Sequence, residues 1–151
     1  WREWIALPQL GIPAVKAKVD TGARTSALHA HSIRTFTRHG VEHVRFEIHP
    51  VQGDTSIAVA CEAPVADRRR ITDSGGHAEM RYVIETLVSV GGQSWPIALS
   101  LAGRDTMRFR MLLGRTAMSR RLVVDPGRSF VTGKSLAAAY DTPDREKGRG
   151  T

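Results

Sequence analysis

Cysteine, aromatic residues and long hydrophobic runs are all scarce in this chain. The single cysteine among 151 residues, Cys61, excludes an internal disulfide and a zinc site built on several cysteines. No apolar run approaches the roughly 18–20 residues that a membrane-spanning helix needs, so we expect no membrane partner. The chain does not start with a basic segment followed by a short apolar stretch, so we expect no signal peptide. A lone thiol fits a reducing cytoplasm.

Acidic residues are also in deficit. Asp and Glu total 15 against 22 Lys and Arg, which gives a net charge of +7, and 18 of the 22 cations are Arg. Arg binds carboxylates and phosphates through two parallel hydrogen bonds, so the charge is compatible with an acidic peptide or a nucleic acid as partner. It is equally compatible with a solvated surface, and composition alone does not decide between them. Aromatic residues make up only 6% of the chain and offer no stacking platform, so nucleic acid is the less favoured of the two.

The sequence is typical of short strands separated by turns. Alternating apolar residues predict strands at Glu3–Leu7, Ala14–Val19, Val41–Ile48, Ser56–Cys61, Met80–Val90 and Trp95–Leu101, with closing strands at Leu122–Asp125 and Ser129–Thr132. The only helix that we expect covers Thr116–Arg120. The pattern predicts one all-β domain, a barrel or a sandwich, over residues 1–137 and a disordered tail over residues 138–151.

One segment carries residues suited to chemistry. Asp20 ends an apolar strand and is followed by Thr21, Gly22 and Ala23. Glycine permits a tight turn and the threonine hydroxyl can brace it, so the carboxylate is held on a rigid loop. A second apolar strand, Met111–Leu113, ends at Gly114 and can pass beside that loop in a β-barrel.

These two segments resemble the retropepsin-like aspartic proteases, in which Asp-Thr-Gly-Ala precedes a flap hairpin and two apolar residues precede Gly-Arg and a short helix. The run from Ala17 to Ala30, together with Ser94-Trp95-Pro96-Ile97 and Met111-Leu112-Leu113-Gly114-Arg115, is also similar to a bacterial family described as ATP-dependent zinc proteases. That family is often encoded beside a ligase that adds glutamates to a ribosomal protein. The resemblance extends from Trp1 to Thr132 and implies a closed β-barrel of the acid-protease type with one short helix.

The resemblance also implies a mechanism. Two carboxyl groups share one proton in aspartic proteases, and this chain offers one good Asp-Thr-Gly, so a homodimer would supply Asp20 twice. The expected catalytic residues are Asp20, Thr21 and Gly22. The expected substrate-binding residues lie beside the Asp loop and in a flap hairpin near Arg70–Arg81, and they are Ala23, Arg24, Arg70, Ser74, Gly75 and Arg81. Cations beside a peptide cleft favour an acidic, glutamate-rich substrate.

Three alternatives remain. Asp73-Ser74-Gly75 could supply the second carboxylate within one chain, but Arg68-Arg69-Arg70 precede it instead of an apolar strand, so a flap tip is the better interpretation. The six scattered histidines form no His-Glu-x-x-His, and Gly127 to Ser135 has one residue too many for a phosphate loop, so we expect no metal and no cofactor. The domain could also be catalytically inactive and serve as a dimeric peptide-binding or ribosome- and nucleic-acid-binding module.

Overall fold

The computed structural model describes residues 1–72, 75–103 and 109–140, and in this part β-strands dominate. The strands are β1 (Arg2–Leu7), β2 (Ile12–Val19), β3 (Ser26–His29), β4 (His31–Arg38), β5 (Val41–Ile48), β6 (Val59–Pro64), β7 (Asp67–Thr72), β8 (Ala78–Val90), β9 (Gln93–Ala102) and β10 (Met111–Leu113). One short helix, α1, covers Arg115–Met118, and 3₁₀ turns cover Pro8–Leu10 and Ser135–Ala138. The prediction of a mostly β chain with one short helix is therefore confirmed.

Seven strands form the larger sheet, in the order β1-β2-β10-β3-β9-β8-β7. A single additional pair, Ala6 with Ser89, joins β1 to β8, so that the pairings of six strands run in a ring. β10 lies between β2 and β3, parallel to β2 and antiparallel to β3. Because Leu113 is in register with Val19, the residues that follow these two strands, Gly114 and Asp20, leave the sheet side by side.

The smaller sheet has the order β4-β5-β6 and covers one side of the core. Val44, Phe46 and Ile48 of β5 alternate into the core, as the period of two predicts. β6 begins at Val59, three residues later than predicted, because the Asp54 carboxylate accepts hydrogen bonds from the backbone N–H and the hydroxyl of Ser56 and holds a turn there.

The core between the sheets is continuous. Its largest fully buried side chains come from six strands of the ring and from β5, and they include Ile5, Leu7, Ile12, Leu28, Phe46, Ile48, Ile84, Leu99, Met111 and Leu113. β3 is buried along its whole length, since it has sheet neighbours on both sides, β10 and β9. Four consecutive buried residues show no alternation, which explains why the sequence shows little sign of this strand.

The two predicted closing strands are wrong, because Leu122–Asp125 and Ser129–Thr132 have no strand assignment. Isolated hydrogen bonds, not a strand ladder, connect the second segment to β1. The Phe130 N–H donates to the Arg2 carbonyl over 2.9 Å. The carboxylate of Glu3, largely buried, accepts bonds from the Val131 N–H over 2.8 Å and from the Thr132 hydroxyl over 2.7 Å. A left-handed backbone at Phe130 (φ 55°) interrupts the extended chain that a strand requires.

Part of the predicted disordered tail is packed. The Tyr140 hydroxyl donates to the Ala14 carbonyl over 2.6 Å and accepts from the Ala14 N–H over 3.3 Å, which attaches the end of the described chain to β2. Residues 141–151, which make up most of that predicted tail, lie outside the described residues. None of the helices within the described ranges is long and apolar enough to cross a membrane.

Candidate active site

The Asp20 carboxyl group is held by its own loop. Directly after β2, the Asp20 N–H donates to the Leu113 carbonyl over 2.9 Å, which ties the loop to the end of β10. Asp20 Oδ1 then accepts hydrogen bonds from the backbone N–H groups of Gly22 (3.0 Å) and Ala23 (3.2 Å). A Cβ at Gly22 would lie 3.3 Å from that same oxygen, so glycine leaves room for it. Asp20 remains partly exposed to solvent.

The start of α1 supports the other side of the loop. The Arg115 N–H donates to the Ala23 carbonyl over 2.7 Å. Thr116 donates twice to the Arg24 carbonyl, from its backbone N–H over 3.1 Å and from its hydroxyl over 2.8 Å. The Gly114 N–H donates to the buried Ser26 hydroxyl oxygen over 2.9 Å. The segments that follow β2 and β10 are therefore joined by hydrogen bonds directly after the two strands end.

Helix α1 is itself anchored to β9. The indole N–H of Trp95 donates to the Ala117 carbonyl over 2.8 Å in a buried position. In the neighbouring layer the Ser100 hydroxyl donates to the Ser26 carbonyl over 3.0 Å. These buried bonds explain why the segment around Trp95 accompanies the Asp-Thr-Gly motif: it fixes the helix that supports the loop.

A cleft lies between the Asp loop and the β7–β8 hairpin. In the hairpin, Arg70 is opposite Met80 and Thr72 is opposite Ala78, as expected for a flap. The cavity between loop and hairpin has a volume of about 660 Å³ and is lined by Gly22, Ala23, Arg24, Thr25, Arg69, Arg70, Ile71 and Thr72. Segments about 45 positions apart in the sequence thus meet at one polar cleft.

The predicted substrate-binding arginines differ in their ion pairs within the described part of the chain. Within the described ranges, Arg24 and Arg70 have no acidic partner, and both line the cleft. Arg81 instead pairs with Glu79, has a mostly buried side chain and does not line the cleft. The neighbouring cations Arg69 and Arg68 pair with Asp67 and Glu42, respectively.

The remaining predicted site residues are less closely involved. Thr21 is exposed at the loop and is not part of the cleft wall. Gly75 belongs to the exposed tip of the hairpin, away from the cleft lining. Ser74, and with it Asp73 of the alternative one-chain dyad, lies outside the described residues.

An apolar groove begins next to the Asp loop. Its volume is about 260 Å³, and Val19, the residue before Asp20, is part of its wall. Three of the most exposed large hydrophobic side chains of the described chain lie there: Val123 is fully exposed, Val131 is 54% exposed and Trp1 is 36% exposed. Sequence patterning did not reveal this surface, because the segments that form it were assigned to closing strands.

Three histidines converge; the spacing of two of them, His29 and His31, predicts a shared face on a strand, but nothing in the sequence places the third beside them. The ring centroids of His29 and His31 are 4.5 Å apart, and those of His31 and His49 are 4.6 Å apart. An Arg110 guanidinium nitrogen lies 3.0 Å from Nδ1 of His29. Nevertheless, among the described residues, no group of three or more His, Cys, Asp or Glu side chains is arranged to hold a metal ion. The cluster lies where β3 of the larger sheet passes into β4 of the smaller one.

Comparisons with known proteins agree with the fold and the motif. The chain is 52% identical over 132 residues to a protein of Shewanella pealeana named "Probable alpha-L-glutamate ligase", covering 87% of this chain and 29% of the relative. A protein of Desulfotalea psychrophila with the same name is 47% identical over 150 residues, covering 97% of this chain and 32% of the relative. The chain thus spans about a third of the length of these relatives.

A solved structure and a family model complete the comparison. The crystal structure of a Legionella pneumophila protein of unknown function matches with a TM-score of 0.73 at 25% identity, over 87% of this chain and 95% of that one. A family model described as the retropepsin-like aspartic endopeptidase RimB matches residues 1–135. The match covers most of the chain and includes the Asp-Thr-Gly loop, the helix start that supports it and the hairpin. The chain therefore belongs to the RimB-like family of retropepsin-like aspartic endopeptidases.

Proposed function

We propose that this chain is an aspartic endopeptidase that forms its catalytic dyad across a homodimer, with the ring of strands acting as an acid-protease barrel. The observation that carries the proposal is the Asp20 carboxyl group, held by two backbone N–H groups of a loop whose residues 22–25 line the cleft below the β7–β8 hairpin. A carboxylate held in this way two residues before the wall of a substrate-sized cleft suits general acid–base chemistry on a peptide bond. The single buried thiol suits a reducing cytoplasm.

The hydrolysis follows from two such carboxyl groups sharing one proton. Asp20 in its ionised form takes a proton from a bound water, whose oxygen attacks the scissile carbonyl carbon, while the protonated Asp20 of the partner subunit donates to the carbonyl oxygen. The tetrahedral intermediate then collapses: the now protonated Asp20 gives its proton to the leaving nitrogen and the C–N bond breaks. The ionised carboxylate of the partner subunit takes a proton from one hydroxyl of the intermediate as the C=O bond re-forms, which releases a carboxylic acid and an amine and restores the dyad. Gly22, with no side chain, lets the substrate backbone approach.

The second copy has a surface on which to dock. The groove that begins at Val19 exposes Val123 and Val131 to solvent, and exposed apolar patches of this kind mark interaction sites. Leu122–Asp125 has no strand partner in the described chain and could pair with its counterpart in an interleaved terminal sheet. Docking there would bring the two Asp20 loops together, because the groove and the loop share the end of β2.

The substrate that we propose is an acidic peptide. Arg24 and Arg70 face the cleft from opposite sides without acidic partners in the described part of the chain, so a glutamate side chain could pair with either. The relatives of this chain carry the name of an α-L-glutamate ligase over a much longer protein. An endopeptidase domain that acts on α-linked glutamyl chains would act on the kind of product that such a ligase name describes.

The first experiment measures cleavage of internally quenched Glu-rich, Gln-rich and Lys-rich peptides of equal length. Wild-type protein should cleave the Glu-rich peptide best, Asp20→Asn should be inactive, and Asp73→Asn should retain activity. Mixing wild type with excess Asp20→Asn should suppress activity, since mixed dimers have an impaired dyad. A monomer that cleaves at full rate, or an active Asp20→Asn protein, would refute the mechanism, and equal cleavage of all three peptides would refute the acidic substrate. Peptide binding without hydrolysis by the wild type would support the inactive binding module instead.

A second experiment tests the docking surface. Val123→Glu should shift the protein to monomer in analytical ultracentrifugation and abolish cleavage, because it buries a charge in the apolar groove. Val41→Glu changes an equally small exposed valine (50% exposed) at the far sheet and should leave both properties intact. A dimeric, fully active Val123→Glu protein would reject this surface while leaving the dyad untouched.

A further inference from the structure

We propose that Thr116 is a positioning residue that fixes Arg24 for recognition of an acidic side chain in the substrate. This inference rests on the proposed function, since it concerns the acidic substrate of the same cleft. Thr116 itself is at the start of α1 and is not part of the cleft wall. It acts through the Arg24 carbonyl, which accepts two hydrogen bonds from it, one of them from the hydroxyl over 2.8 Å.

The position of Thr116 is fixed independently of the loop that it holds. The buried indole N–H of Trp95 donates to the Ala117 carbonyl, one residue further along, and the Ser119 N–H closes the turn on the Arg115 carbonyl over 3.0 Å. A hydroxyl on such a rigid helix start limits where the Arg24 backbone can lie. Arg24 lines the cleft and has no acidic partner among the described residues. Fixing its backbone therefore limits the directions from which its charge can meet the substrate.

The hydroxyl can be removed without unfolding the loop. In Thr116→Val the Arg24 carbonyl keeps the backbone N–H of residue 116 as a donor at 3.1 Å, and its exposed position also gives it access to water, so it does not lose its only partner. Asp20 is held by other groups, the Leu113 carbonyl and the N–H groups of Gly22 and Ala23. The substitution should therefore disturb recognition by Arg24 and leave the catalytic carboxyl group in place.

The experiment compares Thr116→Val and Thr116→Ser on a Glu-containing peptide and its Gln-matched counterpart. We expect Thr116→Val to raise KM for the Glu peptide roughly 3–10-fold, the range that one hydrogen bond covers, with kcat within about twofold and the Gln peptide unchanged. Thr116→Ser keeps the hydroxyl and should restore the wild-type KM. Thr37→Val, at an exposed threonine of β4 outside the cleft, is the matched control and should behave as wild type.

A second readout separates this inference from the proposed function. In the Asp20→Asn background, the dissociation constant of the Glu peptide should rise by the same factor when Thr116→Val is added, whether or not the wild type hydrolyses anything. An unchanged Glu-over-Gln preference, in KM or in binding, overturns the inference. So does an equal loss of kcat on both peptides, or a failure of Thr116→Ser to restore KM, because either result assigns Thr116 a structural role only.

Discussion

Replacing Gly114 with alanine should disturb the candidate active site, because among the glycines whose surroundings are described this one has the least room for a methyl group. A Cβ at Gly114 would lie 2.7 Å from the carbonyl carbon of Thr25, 2.8 Å from the Ser26 nitrogen and 2.9 Å from the Thr25 oxygen. The Gly114 backbone itself is unstrained, with φ −86° and ψ 172°, so any residue could adopt its conformation. Only the close passage of the chain after the Asp loop requires glycine.

The cost can be estimated from these distances. Carbon atoms in contact rest about 3.5–4.0 Å apart, so the new methyl group must separate the two backbones by roughly 0.8 Å or more. Overpacking of this kind typically costs about 1–3 kcal/mol, and we expect the upper end, because backbone atoms cannot rotate away as a side chain can. For a chain of this size about 3 kcal/mol corresponds to a fall in Tm of roughly 6–12 °C.

The assay combines thermal unfolding with peptide cleavage. At a temperature where it is still folded, Gly114→Ala should have less than a tenth of the wild-type activity. The new methyl group would displace the backbone of Thr25, which directly follows Arg24 in the loop. Gly103→Ala is the matched control: a methyl group there would have no described atom within 4 Å, and the φ of Gly103 is outside the left-handed region, so the Tm should stay within about 2 °C of wild type. A Gly114→Ala protein with wild-type Tm and activity would refute the close-packing argument.

Two further predictions concern buried groups outside the cleft. Tyr140→Phe removes both hydrogen bonds to Ala14 and should lower the stability by about 1–2 kcal/mol in urea titrations, whereas Tyr82→Phe, whose hydroxyl makes no hydrogen bond within the described ranges, should have no effect. Burial raises the pKa of the Cys61 thiol from 9.0 to about 12, so the folded protein should resist alkylation at pH 8 and react only when unfolded. The pKa of this thiol is higher in the folded than in the unfolded protein. Its contribution to the free energy of unfolding is therefore complete below pH 9 and is lost between pH 9 and about pH 12. Over that range the urea midpoint of Cys61→Ala should fall less than that of the wild type.

The Asp loop could be predicted from the sequence because its determinants are local. An apolar strand, an acid and a glycine within five residues specify a turn almost regardless of the rest of the chain, and the structure holds Asp20 by neighbours two and three positions away. The strand β5 was predicted with its bounds for the same reason, since its alternation is complete within eight residues.

What the sequence did not reveal depends on contacts between distant segments. β4 is an exposed edge strand whose side chains are mostly polar, so it lacks the apolar alternation that marks a strand. The predicted closing strand at Ser129–Thr132 was wrong because Glu3, far away in sequence, accepts hydrogen bonds from the backbone N–H groups of Val131 and Thr132. The sequence also does not show which arginines are paired. Arg81 forms an ion pair, whereas Arg24 and Arg70 have no acidic partner in the described ranges, and this difference depends in part on the register of β7 and β8.

The two associations that the proposed mechanism needs should respond to salt in opposite directions. Each chain carries +7, so two copies repel one another at low ionic strength, and the groove proposed to join them is lined mainly by apolar side chains whose burial gains nothing from charge. Salt screens the repulsion and should strengthen dimerisation, yet the same screening weakens the attraction of Arg24 and Arg70 for an acidic peptide. Sedimentation and peptide-binding titrations between roughly 50 and 500 mM NaCl should therefore diverge. If both associations weakened together, charge rather than apolar burial would join the two copies, and the groove beside Val19 would be the wrong surface.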